Sequence, residues 1–97
     1  MTAMAAVFTP RRVALVGASD RPGTMGRLLW DNLRSFPGEV VPVGRATSID
    51  GVPAYADLGD VPDPVDLVVI GLPAERVLDA VRAAAAHGVR AAVVLSA

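Results

Sequence analysis

Apolar and polar residues along this chain fall into blocks rather than alternating singly. Arg12-Val13-Ala14-Leu15-Val16-Gly17 is a β-branched apolar run closed by glycine, and Val65–Leu72 is another, interrupted only by Asp66. Short continuous runs of this kind predict strands buried on both faces, as in a parallel sheet. Val40–Val43 predicts a second strand, with Pro42 favouring an edge position or the strand's end, and Val89–Leu95 predicts a fourth. Between the strands the period changes. Met25, Leu28, Leu29, Leu33 and Phe36 fall at i, i+3, i+4, i+8 and i+11, the stripe of an amphipathic helix from about Thr24 or Met25 to Ser35. Thr24 suits its N-cap and Pro37-Gly38 its stop. Pro73 at the first helical position and Glu75 in the first turn open a second helix. Its predicted buried face is Val77, Leu78, Val81, Ala84 and Ala85, and Gly88 is its predicted C′ residue.

Residues 1–9 read as a leader ending at Thr9-Pro10. Residues 44–64 form a long polar connection, and so long a stretch without structure would be unusual. Gly51–Tyr55 is predicted as a short extended piece and Ala56–Gly59 as a single helical turn. The resulting order, β-α-β-connection-β-α-β, predicts an α/β fold: a Rossmann-type parallel sheet with right-handed crossovers, strand order 2-1-3-4, and one helix on each face. The fourth strand has nothing after it to cover its far edge. Residues 1–97 therefore read as the first half of a doubly wound domain.

Composition narrows the classes. At 53% hydrophobic and 20% charged residues the chain has material for a core, while no apolar run approaches the roughly 20 residues of a membrane helix. Met1–Phe8 lacks the basic and apolar regions of a signal peptide. Cysteine is absent, which excludes disulfides, thiolate catalysis and Cys-based zinc sites and fits the cytoplasm. A net charge of −1 gives no general attraction to nucleic acid or to an anionic membrane. All nine basic residues are Arg, so an Arg in place of Lys at any one position carries little meaning.

The candidate chemistry lies in the turn from Gly17 to Gly26. In a parallel α/β sheet, ligands bind beyond the carboxyl ends of the strands at the switch point, here between the first and third strands. Glycine allows close backbone approach to an anion, and the N-terminus of the following helix supplies N–H groups and a favourable dipole. Ser19 and Thr24 offer hydroxyl donors. The spacing departs from the dinucleotide fingerprint, because Ser19 and Pro22 stand where G-x-G-x-x-G requires glycine. NAD sites also use an acid at the end of the second strand. That place here is Val43-Gly44-Arg45, and an arginine suits a phosphate. The turn is therefore expected to hold a phosphorylated cofactor.

The segment Phe8-Thr9-Pro10-Arg11-Arg12-Val13-Ala14-Leu15-Val16-Gly17-Ala18-Ser19-Asp20-Arg21-Pro22-Gly23-Thr24-Met25-Gly26 resembles the opening of the CoA-binding domain of NDP-forming (ADP-forming) acyl-CoA synthetases. These are relatives of the succinyl-CoA synthetase alpha subunit. The likeness continues through Asp31-Asn32-Leu33, Gly51-Val52-Pro53-Ala54-Tyr55, Val65-Asp66-Leu67-Val68-Val69-Ile70, Leu72-Pro73-Ala74 and Leu95-Ser96-Ala97. The same domain also occurs fused to GNAT-type protein acetyltransferases. The resemblance implies coenzyme A as cofactor. By the resemblance, Ser19-Asp20-Arg21-Pro22 would cradle its phosphates, within a candidate cofactor-binding turn of Gly17, Ala18, Ser19, Asp20, Arg21, Pro22, Gly23, Thr24 and Gly26. Arg45 would contact a CoA phosphate, and Leu72-Pro73 and Ser96-Ala97 would line the pantetheine path. Val43-Gly44-Arg45 replaces the family's Asn-Pro-Lys/Arg step. The family domain continues beyond residue 97, and its phosphorylated histidine lies in that part.

The resemblance implies an acid–CoA ligase in which this domain binds CoA and an ATP-grasp partner handles the nucleotide, with no catalytic residue in residues 1–97. The competing readings are a regulatory CoA- or nucleotide-sensing domain attached to a GNAT domain or retained without ligand as an interaction domain, and an NAD(P)-binding redox domain; a homo-oligomer is compatible with each. Among single residues, His87 reads as a helix-end residue rather than a phosphoryl carrier, and Trp30 and Phe36 as packing residues. Tyr55 reads as a loop anchor, with a place beside adenine as its other reading. Arg11 and Arg12 read as solvated, and for Arg21 both an anion contact and solvation stand open. Asp20 is expected to balance Arg21 or orient N–H groups rather than face the ligand. Asp60, Asp63 and Asp66 read as a solvated loop and not a metal site.

Overall fold

The computed structural model describes residues 10–62 and 64–95. Among them run β1 (Arg12–Val16), α1 (Met25–Leu33), β2 (Glu39–Val43), β3 (Ser48–Ile49), β4 (Val52–Pro53), β5 (Leu67–Ile70), α2 (Ala74–Ala86) and β6 (Ala91–Val94), with a 3-10 turn at Leu58–Asp60. The main sheet has the order β2-β1-β5-β6, and each pairing is parallel. This is the predicted 2-1-3-4 arrangement with a small hairpin inserted. Pro42 is tolerated because β2 is an edge strand, and its carbonyl accepts the Tyr55 N–H at 3.0 Å. Tyr55 thus anchors the connection to the sheet.

Successive residues of β1 point to opposite faces, and each face has its own core. On one side Val13, Leu15 and Val69 pack with Trp30 of α1 and Ile49 of β3. On the other, Ala14, Val68 and Ile70 pack with Leu58, Val61 and Ala80 and Ala84 of α2.

The helix stripes differ from those expected. In α1 the buried positions are Gly26 and Trp30, flanked by Leu29 and Leu33, whereas Leu28 is 60% exposed. The close seat of Gly26 on the turn rotates the helix so that Trp30 faces the sheet and Leu28 faces solvent. In α2 the buried residues are Ala80 and Ala84, with Val77 beside them. Leu78 and Val81 are exposed. Alanine lets the helix lie close to the sheet, and the larger residues form a second apolar stripe beyond it. Pro73 is the N-cap of α2 (φ −56°, ψ 150°), not its first helical residue, and it supplies no side-chain hydrogen bond to the helix start. His87 is the C-cap.

The 44–64 connection is more structured than its sequence suggests. β3 and β4 pair antiparallel as a two-residue hairpin, Ser48↔Pro53 and Ile49↔Val52. Its turn residues Asp50 and Gly51 have φ of 52° and 82°, the type I′ geometry that Asp-Gly favours. Asp50 then holds the hairpin to α1. Its carboxylate accepts from the Trp30 indole at 3.0 Å, from Arg27 at 3.1 and 3.2 Å, and from Arg34 at 2.8 Å.

Two further readings are corrected at the amino end of the sheet. Asp66 is not a solvated loop residue, since its Oδ2 accepts the Arg11 and Arg12 backbone N–H groups at 2.8 and 3.1 Å. Arg12 is half-exposed but not free. It donates to Glu39 at 3.0 Å and to the Pro62 and Pro64 carbonyls at 2.8 and 3.3 Å. Asp63, like the leader at residues 1–9, lies outside the described residues.

β6 is covered poorly. Val93, Val94 and Leu95 are 45%, 43% and 41% exposed, and the strand has one neighbour in the sheet. An open apolar edge is a template for pairing with another chain. Residues 1–97 on their own are expected to self-associate at micromolar concentration, and Val93→Lys to restore a monomer in sedimentation. A monomeric wild-type chain would contradict this.

Candidate functional site

At the carboxyl ends of β2, β1 and β5 the structure opens a crevice of about 550 Å³, within the range of small-molecule sites. Its floor is Val16 and Val43. Its walls come from the β1–α1 turn, the segment after β2 and the start of α2. Smaller hollows lie elsewhere, including one of about 210 Å³ between Trp30, Phe36 and Asp50. That hollow is on the flank of α1, away from the strand ends.

The turn is built locally. The Gly17 and Ala18 N–H groups both donate to the Val43 carbonyl, at 2.9 and 3.2 Å, which ties the end of β1 to the end of β2. Ser19 Oγ accepts the Arg21 N–H at 3.1 Å. Thr24 Oγ1 accepts the Arg27 N–H at 3.2 Å, as an N-cap does, and donates its proton to the Arg21 carbonyl at 2.8 Å. Thr24 is therefore committed to the fold and has no hydroxyl proton left for a ligand. Ser19 keeps its own. Among the described residues, the N–H groups of Ser19, Asp20, Met25 and Gly26 have no hydrogen-bond partner. They lie in the turn and first helical turn, where an anion is favoured.

Of the residues predicted for the site, Gly17, Ala18, Ser19, Asp20, Arg21, Thr24 and Gly26 line the crevice, as do Arg45, Leu72 and Pro73. Pro22 and Gly23 do not. They border a separate surface hollow with Met25, Leu28 and Asp31. Ser96 and Ala97 lie outside the described residues. Asp20 lines the crevice and forms no ion pair with Arg21, contrary to the expected charge balance. His87 caps the far end of α2 and does not line the crevice.

Several lining residues were not foreseen, notably Gly44, Ala56, Gly71 and Arg76. Among the described residues, the flank of the crevice at the end of β2 carries Gly44 and Arg45 and no acid of the kind that holds a ribose in NAD sites.

The arginines divide by pairing. Arg12, Arg27 and Arg34 each meet a carboxylate within 3.2 Å. Arg21, Arg45 and Arg76 line the crevice and, among the described residues, meet none. Three unneutralised guanidinium groups and a set of free N–H groups around one opening suit a ligand with several phosphates.

Fold and site together define a Rossmann-type domain for a phosphorylated ligand. Residues 11–97 match the family model of the CoA binding domain, and the chain belongs to that family. It is 39% identical over 95 residues to an ADP-forming acetate–CoA ligase of Archaeoglobus fulgidus, covering 97% of this chain and 14% of that enzyme. It is 36% identical over 94 residues to a trans-feruloyl-CoA synthase of an unknown prokaryote, covering 94% of this chain and 13% of that protein. The dinucleotide-forming acetyl-coenzyme A synthetase 1 of Ca. Korarchaeum cryptofilum, solved with phosphate and ADP, superposes with a TM-score of 0.91 at 35% identity. That match covers 100% of this chain and 22% of the other. The chain thus spans less than a quarter of each of these relatives. Among the described residues, no helix is long and apolar enough to cross a membrane.

Proposed function

We propose that this domain binds coenzyme A in the crevice above Val16 and Val43, as the N-terminal domain of an ADP-forming acid–CoA ligase. The observation that carries the reading is that Arg21, Arg45 and Arg76, without carboxylate partners among the described residues, line the same crevice as the free N–H groups of the β1–α1 turn. The diphosphate lies against Ser19 to Arg21 and the start of α1. Arg45 meets a phosphate from the β2 side. Leu72 and Pro73 guide the pantetheine arm away from the nucleotide.

Acyl transfer and nucleotide chemistry belong to other parts of the synthetase, with an ATP-grasp domain or subunit as partner. The sheet continues beyond β6, so that following chain covers Val93 and Leu95. A cysteine-free ligase domain of this kind works in the cytoplasm. The GNAT-linked regulatory and NAD(P) readings gain nothing from the relatives above.

Calorimetry on the full chain with CoA, NAD and NADP tests the proposal. Micromolar binding of CoA and none of NAD or NADP is expected, with Arg45→Ala weakening CoA about tenfold or more. Binding of NAD in preference to CoA would sink it.

A further inference from the structure

Of the three crevice arginines, Arg21 stands on the β1–α1 turn and Arg45 after β2, and Arg76 stands apart from both. It lies in the first turn of α2, on the β5 side of the crevice with Leu72 and Pro73. It also borders an annex of about 230 Å³ that shares Val16, Val43, Ala56 and Leu72 with the crevice. The rest of the annex wall is largely apolar, with Leu58, Ala80 and Ala83, but it carries the carboxylates of Asp57 and Asp79. Arg76 is paired with neither. One cation against two anions leaves this side with a net negative charge, which disfavours a phosphate here. The group it suits is uncharged, with a carbonyl oxygen for the guanidinium and methyl groups for the apolar wall.

On the reading that the crevice holds CoA, the nucleotide phosphates meet the β1–α1 turn and Arg45 at the end of β2. What remains for the β5 side is the pantetheine arm, which is uncharged and carries geminal methyl groups, a hydroxyl and amides. We propose that Arg76 donates hydrogen bonds to the amide carbonyls of this arm, while its geminal methyls sit against Leu72 at the mouth of the annex. Arg76 is the residue by which the site separates CoA from adenine nucleotides that share its phosphates and lack the arm. A guanidinium–carbonyl bond is charge-assisted and so stronger than a neutral one, and the neutral arm escapes the repulsion that Asp57 and Asp79 offer a phosphate. Arg76 is a specificity residue in this scheme and touches no reacting atom.

The test is calorimetry on the full chain with CoA and with 3′-phospho-ADP, which keeps every phosphate of CoA and lacks the arm. The proteins compared are wild type, Arg76→Ala, Arg76→Lys and, as a control on the exposed face of α2, Arg82→Ala. Arg76→Ala is expected to weaken CoA about tenfold, as loss of a charge-assisted contact does, and to leave 3′-phospho-ADP within about twofold. Arg76→Lys should recover part of the loss, and Arg82→Ala should bind both ligands as wild type. Equal loss for both ligands would show that Arg76 serves the phosphates and would overturn the proposal. Unchanged CoA binding in Arg76→Ala, with or without a lowered melting temperature, would overturn it as well. Failure of the wild type to bind either ligand would fall on the underlying reading and take this proposal with it.

Discussion

Gly26→Ala is expected to lower the melting temperature of the domain by about 10 °C. A Cβ on Gly26 would run into the carbonyl oxygen of Gly17, and that atom belongs to backbone held by the Gly17–Val43 hydrogen bond. Neither side can yield by rotating a side chain. Alanine improves helix propensity by up to about 1 kcal/mol, but overpacking of this kind costs about 3 kcal/mol. The clash wins, and it takes a large part of the roughly 5–15 kcal/mol that holds a domain of this size together. The helix would have to lift from the turn, so the N–H groups at its start would shift and CoA binding would weaken with the loss of stability. Thermal unfolding followed by circular dichroism decides the matter. A variant that melts like wild type would show that α1 does not sit as described.

The second large effect is expected at Asp50. Asp50→Ala removes the acceptor of the Trp30 indole N–H, and Trp30 is 5% exposed. A buried donor left without a partner costs about 1–3 kcal/mol. The same change removes the side chain that joins Arg27 and Arg34 and places alanine at φ 52°, where asparagine or aspartate is better tolerated. Chemical denaturation should show a clear loss of stability, smaller for Asp50→Asn, which keeps the turn and one acceptor oxygen. Equal stability of Asp50→Ala and wild type would refute the role of the cluster.

A pH dependence follows from the same residue. The hydrogen bonds from Trp30 and then Arg27 hold the Asp50 carboxyl below its ordinary value of 3.8. Asp66 is held below that value by the backbone N–H groups of Arg11 and Arg12. A depressed carboxylate contributes stability that is fully present above its unfolded value and is lost as pH falls through the folded one. Stability should therefore be flat above about pH 5 and decline below about pH 4, less steeply in Asp50→Asn.

Much of this fold is legible in the chain because parallel strands are written as continuous apolar runs. Val13–Val16 and Leu67–Ile70 mark the two central strands, and Thr24, Pro37 and Gly88 mark helix ends. The insertion was harder to read. Strands of two residues are too short to show alternation, although Ile49-Asp50-Gly51-Val52 carries the Asp-Gly signature of a tight hairpin.

The α2 face was misread for a different reason. Val77 and Ala84 of the predicted face do turn inward, but apolar size also points to Leu78 and Val81, whereas close approach to the sheet selects the smaller Ala80. Within the candidate site, the turn residues are adjacent in sequence and so could be named together. Arg76 reads as an ordinary exposed helix residue, and only the switch point between β1 and β5 brings it to the crevice.

The clamp formed by Asp66 and Arg12 lies at the amino rim of the sheet, and the crevice lies at the carboxyl rim. The side-chain bonds at the amino rim therefore make no use of Arg21, Arg45 or Arg76. Arg21, Arg45 and Arg76 can change identity without disturbing that fastening, which leaves the domain free to alter what it recognises while remaining folded.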